Sequence, residues 1–118
     1  MQLLTTSLRK QLIANYHANK KAQNEEKGVI DFAPVVKFFF PIGAATWLIT
    51  EMDEEEMMFG LCDLGHGFPE LGYVHLHELQ NTKFMGGMVT VERDKHFKAN
   101  GTIQDYTHKA QLNGRIVA

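Results

Sequence analysis

The sequence predicts an α+β domain: an antiparallel β-sheet of about five strands, with an N-terminal amphipathic helix packed on one face. Three observations carry this reading. Leu4, Leu8, Leu12 and Tyr16 recur every fourth residue, with Ile13 beside them, which is the period of a helix with one apolar face. From residue 35 to residue 76, short β-rich runs alternate with turn residues at hairpin spacing, which favours antiparallel pairing over βαβ units. One long helix ahead of such a run gives a helix-on-sheet layering.

Each element follows in order. Thr5 or Thr6 caps the helix, which runs to about Ala22, with Arg9, Lys10, Gln11 and Asn15 away from the apolar stripe. Asn24 to Asp31 is polar with a glycine and reads as a loop. Pro34 permits only a strand start or an edge. Val35 to Phe40 is the first strand, closed by Pro41, and Thr46 to Met52 is the second. Asp53 to Glu56 forms the turn into a third strand, Met57 to Leu64. Gly65, Gly67 and Pro69 bend the chain into a fourth strand, Leu71 to Leu76. Glu78 to Asn81 is a short helix or turn, and Met88 to Glu92 is the fifth strand, after Gly86 and Gly87. A short helix from Thr102 to Gln111 precedes residues expected to fray. The layout is a single domain over residues 1–118: N-terminal helix 1–23, sheet core 33–97, polar tail 98–118.

Composition bounds the function. With 118 residues, 44% hydrophobic and 22% charged, the chain can bury a core without metal or disulfide. The single Cys62 rules out an internal disulfide and fits a reducing, cytoplasmic setting. Met1 to Leu4 leads into a polar helix rather than the apolar stretch of a signal peptide. The longest apolar run, Val35 to Ile49, is broken by Lys37, Pro41, Gly43 and Thr46, so no membrane association is expected. A net charge of −2 lacks the basic field of a general nucleic-acid binder. Residues 1–27 nonetheless hold five Lys/Arg and two acids, making the helix mildly basic and the body acidic.

Three clusters are candidates for chemistry. Glu51, Asp53, Glu54, Glu55 and Glu56 form an acidic run that reads first as a solvated turn. As a functional feature it is either a docking patch for a basic partner or part of a divalent-metal site, with Asp63 on the neighbouring strand as a second carboxylate. Glu92, Asp94 and His96 alternate, so on a strand they share one face. Two carboxylates and an imidazole suit a hydrolytic metal centre, with Lys37 orienting phosphate or water. The metal candidates are thus Glu51, Asp63, Asp94 and His96, and the metal Mg or Mn. The competing reading is a salt-bridged strand end, with Arg93 paired to Glu70 or Glu78. His75 and His77 share a strand face, with His66 on the preceding bend, but one cysteine and no second spaced pair argue against zinc. Cys62 lies inside an apolar strand, as an inert packing residue does. Phe38, Phe39, Phe40, Trp47, Phe59 and Tyr73 read as core, and a sheet covered on one side would expose some of them.

Several pieces, in this order and spacing, resemble the domain of unknown function 2958 family of small bacterial, plasmid and phage proteins. They are Leu3-Leu4-Thr5 with Leu8 and Leu12; Val36-Lys37-Phe38-Phe39 and Pro41; Thr46-Trp47 with Thr50-Glu51; Phe59-Gly60-Leu61; Glu70-Leu71-Gly72-Tyr73; Glu78-Leu79; and Glu92-Arg93-Asp94 with His96-Phe97. Asn24 to Asp31, His75 and His77 depart from the family's pattern. Some relatives carry the label single-stranded DNA endonuclease. The resemblance implies accessory cargo of a mobile element. The expected function is non-enzymatic binding or counter-defence, acting on a host protein or DNA-processing factor without a cofactor, with the acidic run as the contact surface. The alternative is a metal-dependent single-stranded DNA endonuclease.

Overall fold

The structure, a computed structural model, describes residues 2–118; Met1, counted in the expected N-terminal segment, lies outside them. The first helix, α1, spans Thr6–Asn24, and the Thr5 hydroxyl accepts the Leu8 N–H at its start. Its buried residues are Leu12, Asn15, Asn19 and Ala22. The helical period is as expected, but its second half buries two asparagines where Tyr16 was expected to continue the stripe.

Strands β1 (Val36–Phe39), β2 (Thr46–Met52), β3 (Met57–Asp63) and β4 (Glu70–His75) form consecutive antiparallel pairs. The short helix α2 (Leu76–Gln80) follows, then a small separate hairpin of β5 (Lys83–Phe84) and β6 (Val89–Thr90). Strand β7 (Glu92–Arg93) returns to pair with β1, giving a five-stranded sheet in the order β4-β3-β2-β1-β7. The expected fifth strand, Met88 to Glu92, is therefore divided. Val89 and Thr90 pair in the small hairpin, Val91 drops into the core, and only Glu92 carries on into the sheet.

Both faces of the sheet are covered. On one, α1 packs over Phe38, Trp47, Ile49, Met52 and Met58. On the other, α3 (Ile103–Asn113) lays Ile103 and Ala110 on Leu48 and Leu61, joined by Ile116. Thr102 and Asp105 form a reciprocal capping box at the start of α3, and Gly114 closes it at φ 70°. The α+β class with an N-terminal helix on the sheet holds; the second layer comes from residues that hydropathy marks as a polar tail. Nor do the last residues fray. Ile116 is buried and its N–H donates to Asp63 Oδ2 at 2.9 Å.

The two ends of the sheet are finished differently. The β1 pairing stops at Ile49, and a register shift in the β2–β3 pairing follows between Ile49 and Glu51, so the end of β2 has no strand beside it on the β1 side. Unpaired buried backbone is costly, and α1 supplies the missing partner. Asn15 Nδ2 donates to the Thr50 carbonyl at 2.9 Å, and Asn19 Oδ1 accepts the Ile30 N–H at 3.0 Å. At the other end, β7 is only two residues long and leaves a groove beside β1.

Candidate functional site

The groove holds about 760 Å³ and is lined by Phe39, Phe40 and Pro41 together with Lys37, Glu92, Arg93, Asp94, Lys95 and His96. The β1–β7 register, Phe38 opposite Arg93 and Phe39 opposite Glu92, sets those residues beside the aromatic turn. The Asp94 N–H donates to the Lys37 carbonyl at 3.0 Å, fixing the exit of β7. Lys37 Nζ donates to the Ala118 backbone oxygen at 2.9 Å and lies 3.8 Å from the Asp94 carboxylate. Asp94 Oδ1 accepts the His96 N–H at 2.9 Å. A second hollow of about 500 Å³ continues from the first, shares Asp94 and His96, and adds Phe97, Lys98, Tyr106 and Lys109. Across both, five cations (Lys37, Arg93, Lys95, Lys98, Lys109) face three carboxylates (Glu92, Asp94, Asp105). The whole chain carries −2, so this surface is basic relative to the chain as a whole.

The sequence-predicted residues Lys37, Glu92, Asp94 and His96 are thus brought to one groove. Arg93 behaves differently from expectation. Its Nη1 donates to the carbonyls of Gln2 and Leu3, at 3.1 and 2.7 Å, tying the segment before α1 to β7 in place of a pair with Glu70 or Glu78.

The acidic run lies at the opposite end of the sheet and is drawn onto α1. Glu56 pairs with Arg9 at 2.6 Å, and Glu54 contacts His17. Asp53 Oδ1 accepts the N–H groups of Glu55 and Met57, at 2.9 and 3.0 Å, so this carboxylate builds the turn. Glu51 accepts from Asn19 Nδ2 at 3.3 and 3.2 Å. Burial raises the Glu51 pKa above the ordinary carboxylate value, and the Asn19 hydrogen bond opposes that shift. Among these acids, Glu55 is the one whose side chain makes neither an ion pair nor a hydrogen bond with the described residues.

Glu51 and Asp63 do not converge. Glu51 lies opposite Phe59 and Asp63 opposite Thr46, four residues apart along β3, or about 13 Å at the strand rise. Asp63, 1% exposed, is fully engaged: Oδ1 accepts Gly65 N–H and Oδ2 accepts Ile116 N–H. The histidines do not converge either. His75 Nδ1 accepts the His77 N–H at 3.0 Å, which places the ring proton on Nε2, 2.8 Å from the Glu55 carbonyl. With Glu78 it completes a capping box for α2. His66 lies ahead of β4, at the far end from His75. Among the described residues, no three His, Cys, Asp or Glu side chains are grouped to hold a metal ion. Cys62 is partly buried and burial pushes its thiol up to about 11, so it stays protonated at neutral pH.

Two features escape the sequence reading. One is the continuation of the groove over α3 through Lys98, Tyr106 and Lys109. Its signal was the run Arg93, Lys95, Lys98 around Phe97. The other is the role of Asn15 and Asn19, which no local pattern distinguishes from solvated helix residues.

The chain belongs to a family described as protein of unknown function (DUF2958), whose model matches residues 3–117. Neither a curated protein nor a solved structure matches it.

Proposed function

From this family membership and the β1–β7 groove, we propose a non-enzymatic binding protein, an accessory protein of a mobile element that engages a host protein or DNA-processing factor. The observation that carries the reading is the groove itself. Its size is in the usual range for ligand pockets. It sets an apolar floor of Phe39, Phe40 and Pro41 against a surplus of cations, Lys95, Lys98 and Lys109 among them. That combination favours an acidic partner surface with apolar side chains to bury. Charge complementarity would act mainly on the association rate, while Phe39 and Phe40 would supply the buried contact. The acidic hairpin is poorly suited to the same role, because Arg9 and His17 already hold Glu56 and Glu54, and Asp53 builds the turn. The reading therefore moves the contact surface from the hairpin to the opposite end of the sheet. A photo-crosslinking residue placed at Phe40, and separately at Glu55, tests it in lysate. A discrete adduct from the Phe40 position alone is expected; an adduct from Glu55 alone would overturn it.

One observation favours the alternative, a metal-dependent single-stranded DNA endonuclease: Lys37, Glu92, Asp94 and His96 line the same groove. Such an enzyme would require Mg²⁺ or Mn²⁺ to draw Glu92 and the Asp94 carboxylate together, loosening the contact with Lys37. EDTA-stripped protein incubated with single-stranded DNA, with and without each metal, separates the two readings. Cleavage that is lost in Asp94→Ala would establish the enzyme.

A further inference from the structure

A second recess lies at the other end of the sheet and is independent of the groove. Glu51, Phe59 and Tyr73 stand opposite one another on β2, β3 and β4, so their side chains share one face. It is the face that α3 covers, but α3 packs on Leu48 and Leu61 and leaves this row open. Tyr73 is 73% exposed. The Phe59 and Tyr73 rings are 5.0 Å apart and tilted by 58°. Tyr16 of α1 adds a third ring to the lining of a recess of about 110 Å³. That is well below the roughly 300–1,000 Å³ of a drug-sized pocket, so it suits one side chain.

Its chemistry is that of a cation site. Aromatic faces attract a cation electrostatically, and a partly desolvated site strengthens the attraction. Glu51 adds a carboxylate held in place by a single donor, Asn19 Nδ2, shared between both oxygens. Each oxygen therefore keeps acceptor capacity for an incoming donor. Asp53 also lines the recess; Lys20 does too, as an opposing charge on a flexible, exposed side chain. We propose that this recess takes the side chain of an arginine presented by a partner protein. The guanidinium fork would pair with Glu51 while its plane stacks on one of the two tilted rings, Phe59 or Tyr73, and meets the other at an angle. Arginine fits better than lysine because its planar, weakly hydrated head both forks onto a carboxylate and stacks on rings.

The test uses the full chain and a capped Gly-Arg-Gly peptide, followed by NMR shifts of the Tyr73 and Phe59 rings, with Gly-Lys-Gly, Gly-Gln-Gly and a trimethyllysine tripeptide beside it. Saturable shifts with the arginine peptide are expected, at least about tenfold weaker with the lysine and glutamine peptides. They should be lost in Glu51→Gln and in Tyr73→Ala. Tyr73 is exposed, so its variant should fold, and amide spectra of both variants check this. Shifts that persist in Glu51→Gln, or match those of the glutamine peptide, would overturn the assignment. So would stronger binding of the trimethyllysine peptide, which would make the recess an alkylammonium cage. None of these outcomes depends on the β1–β7 groove.

Discussion

The two ends of the sheet use charge in opposite ways. At the hairpin end, a dense acidic run is answered from α1 by Arg9 and His17 at partly or fully exposed positions and by the buried Asn19. At the groove end, one buried carboxylate, Asp63, ties the turn after β3 to the segment after α3. The cations nearby line an open hollow. Thus the conspicuous charge cluster is mostly intramolecular, and the dispersed one is presented outward. A run of like charges in a sequence says little about a partner until its neighbours in space are known.

This contrast predicts a ranking of stability effects. The largest belongs to Asp63→Ala. It strands the buried Ile116 N–H, at about 1–3 kcal/mol, and removes the bond to the more exposed Gly65 N–H, at about 0.5–1.5 kcal/mol, so a loss of about 1.5–4.5 kcal/mol by urea denaturation is expected. Asn15→Ala comes next: the Thr50 carbonyl loses its donor at 2.9 Å, for a loss of about 1–3 kcal/mol. Arg9→Ala is smaller still, since its ion pair with Glu56 has both side chains more than a third exposed; about 0–1 kcal/mol is expected, shrinking with added salt. A larger effect from Arg9→Ala than from Asp63→Ala would reverse the comparison.

Two titrations sharpen it further. The Glu51 pKa is raised by burial, so the folded state holds its proton more readily than the unfolded chain. Its contribution to stability is therefore present at low pH and is lost as pH rises through the raised value. Glu51→Gln should gain Tm relative to the parent as pH goes from about 4 to 7; a constant difference would contradict the burial argument. The Cys62 thiol, at about 11, should alkylate slowly in the native protein at neutral pH and rapidly once denaturant is added. Fast native labelling would mean that the strand opens readily.

Much of the fold was legible because periodicity and turn residues are local signals. The Leu4–Leu8–Leu12 stripe, the four hairpin-spaced strands and the acidic turn all lie where the pattern puts them. The second layer was not legible as a layer, because α3 buries only Ile103, Thr107 and Ala110 along its own length, too few for a conspicuous apolar stripe. The fifth strand was misplaced because its pairing with β1 is non-local and just two residues long. The site divided along the same line. Glu92, Asp94 and His96 do line one groove, but not through alternation on a strand: β7 ends at Arg93, and Arg93 and Lys95 line the groove with them. By contrast, the proposed meeting of Glu51 with Asp63 depended on a register that no single strand reveals. Asp63 turned out to be structural because its second partner, Ile116, is 53 residues away.

The most direct test of the central claim compares two variants in one affinity capture from host lysate. One alters the groove, Phe40→Asp with Lys95→Glu; the other neutralises the hairpin, Asp53→Ser with Glu54, Glu55 and Glu56 each changed to Gln. The groove variant is expected to lose the partner while the hairpin variant, confirmed as folded, keeps it. Capture that survives the groove changes and disappears with the hairpin charges would contradict the account and return the contact surface to the acidic turn.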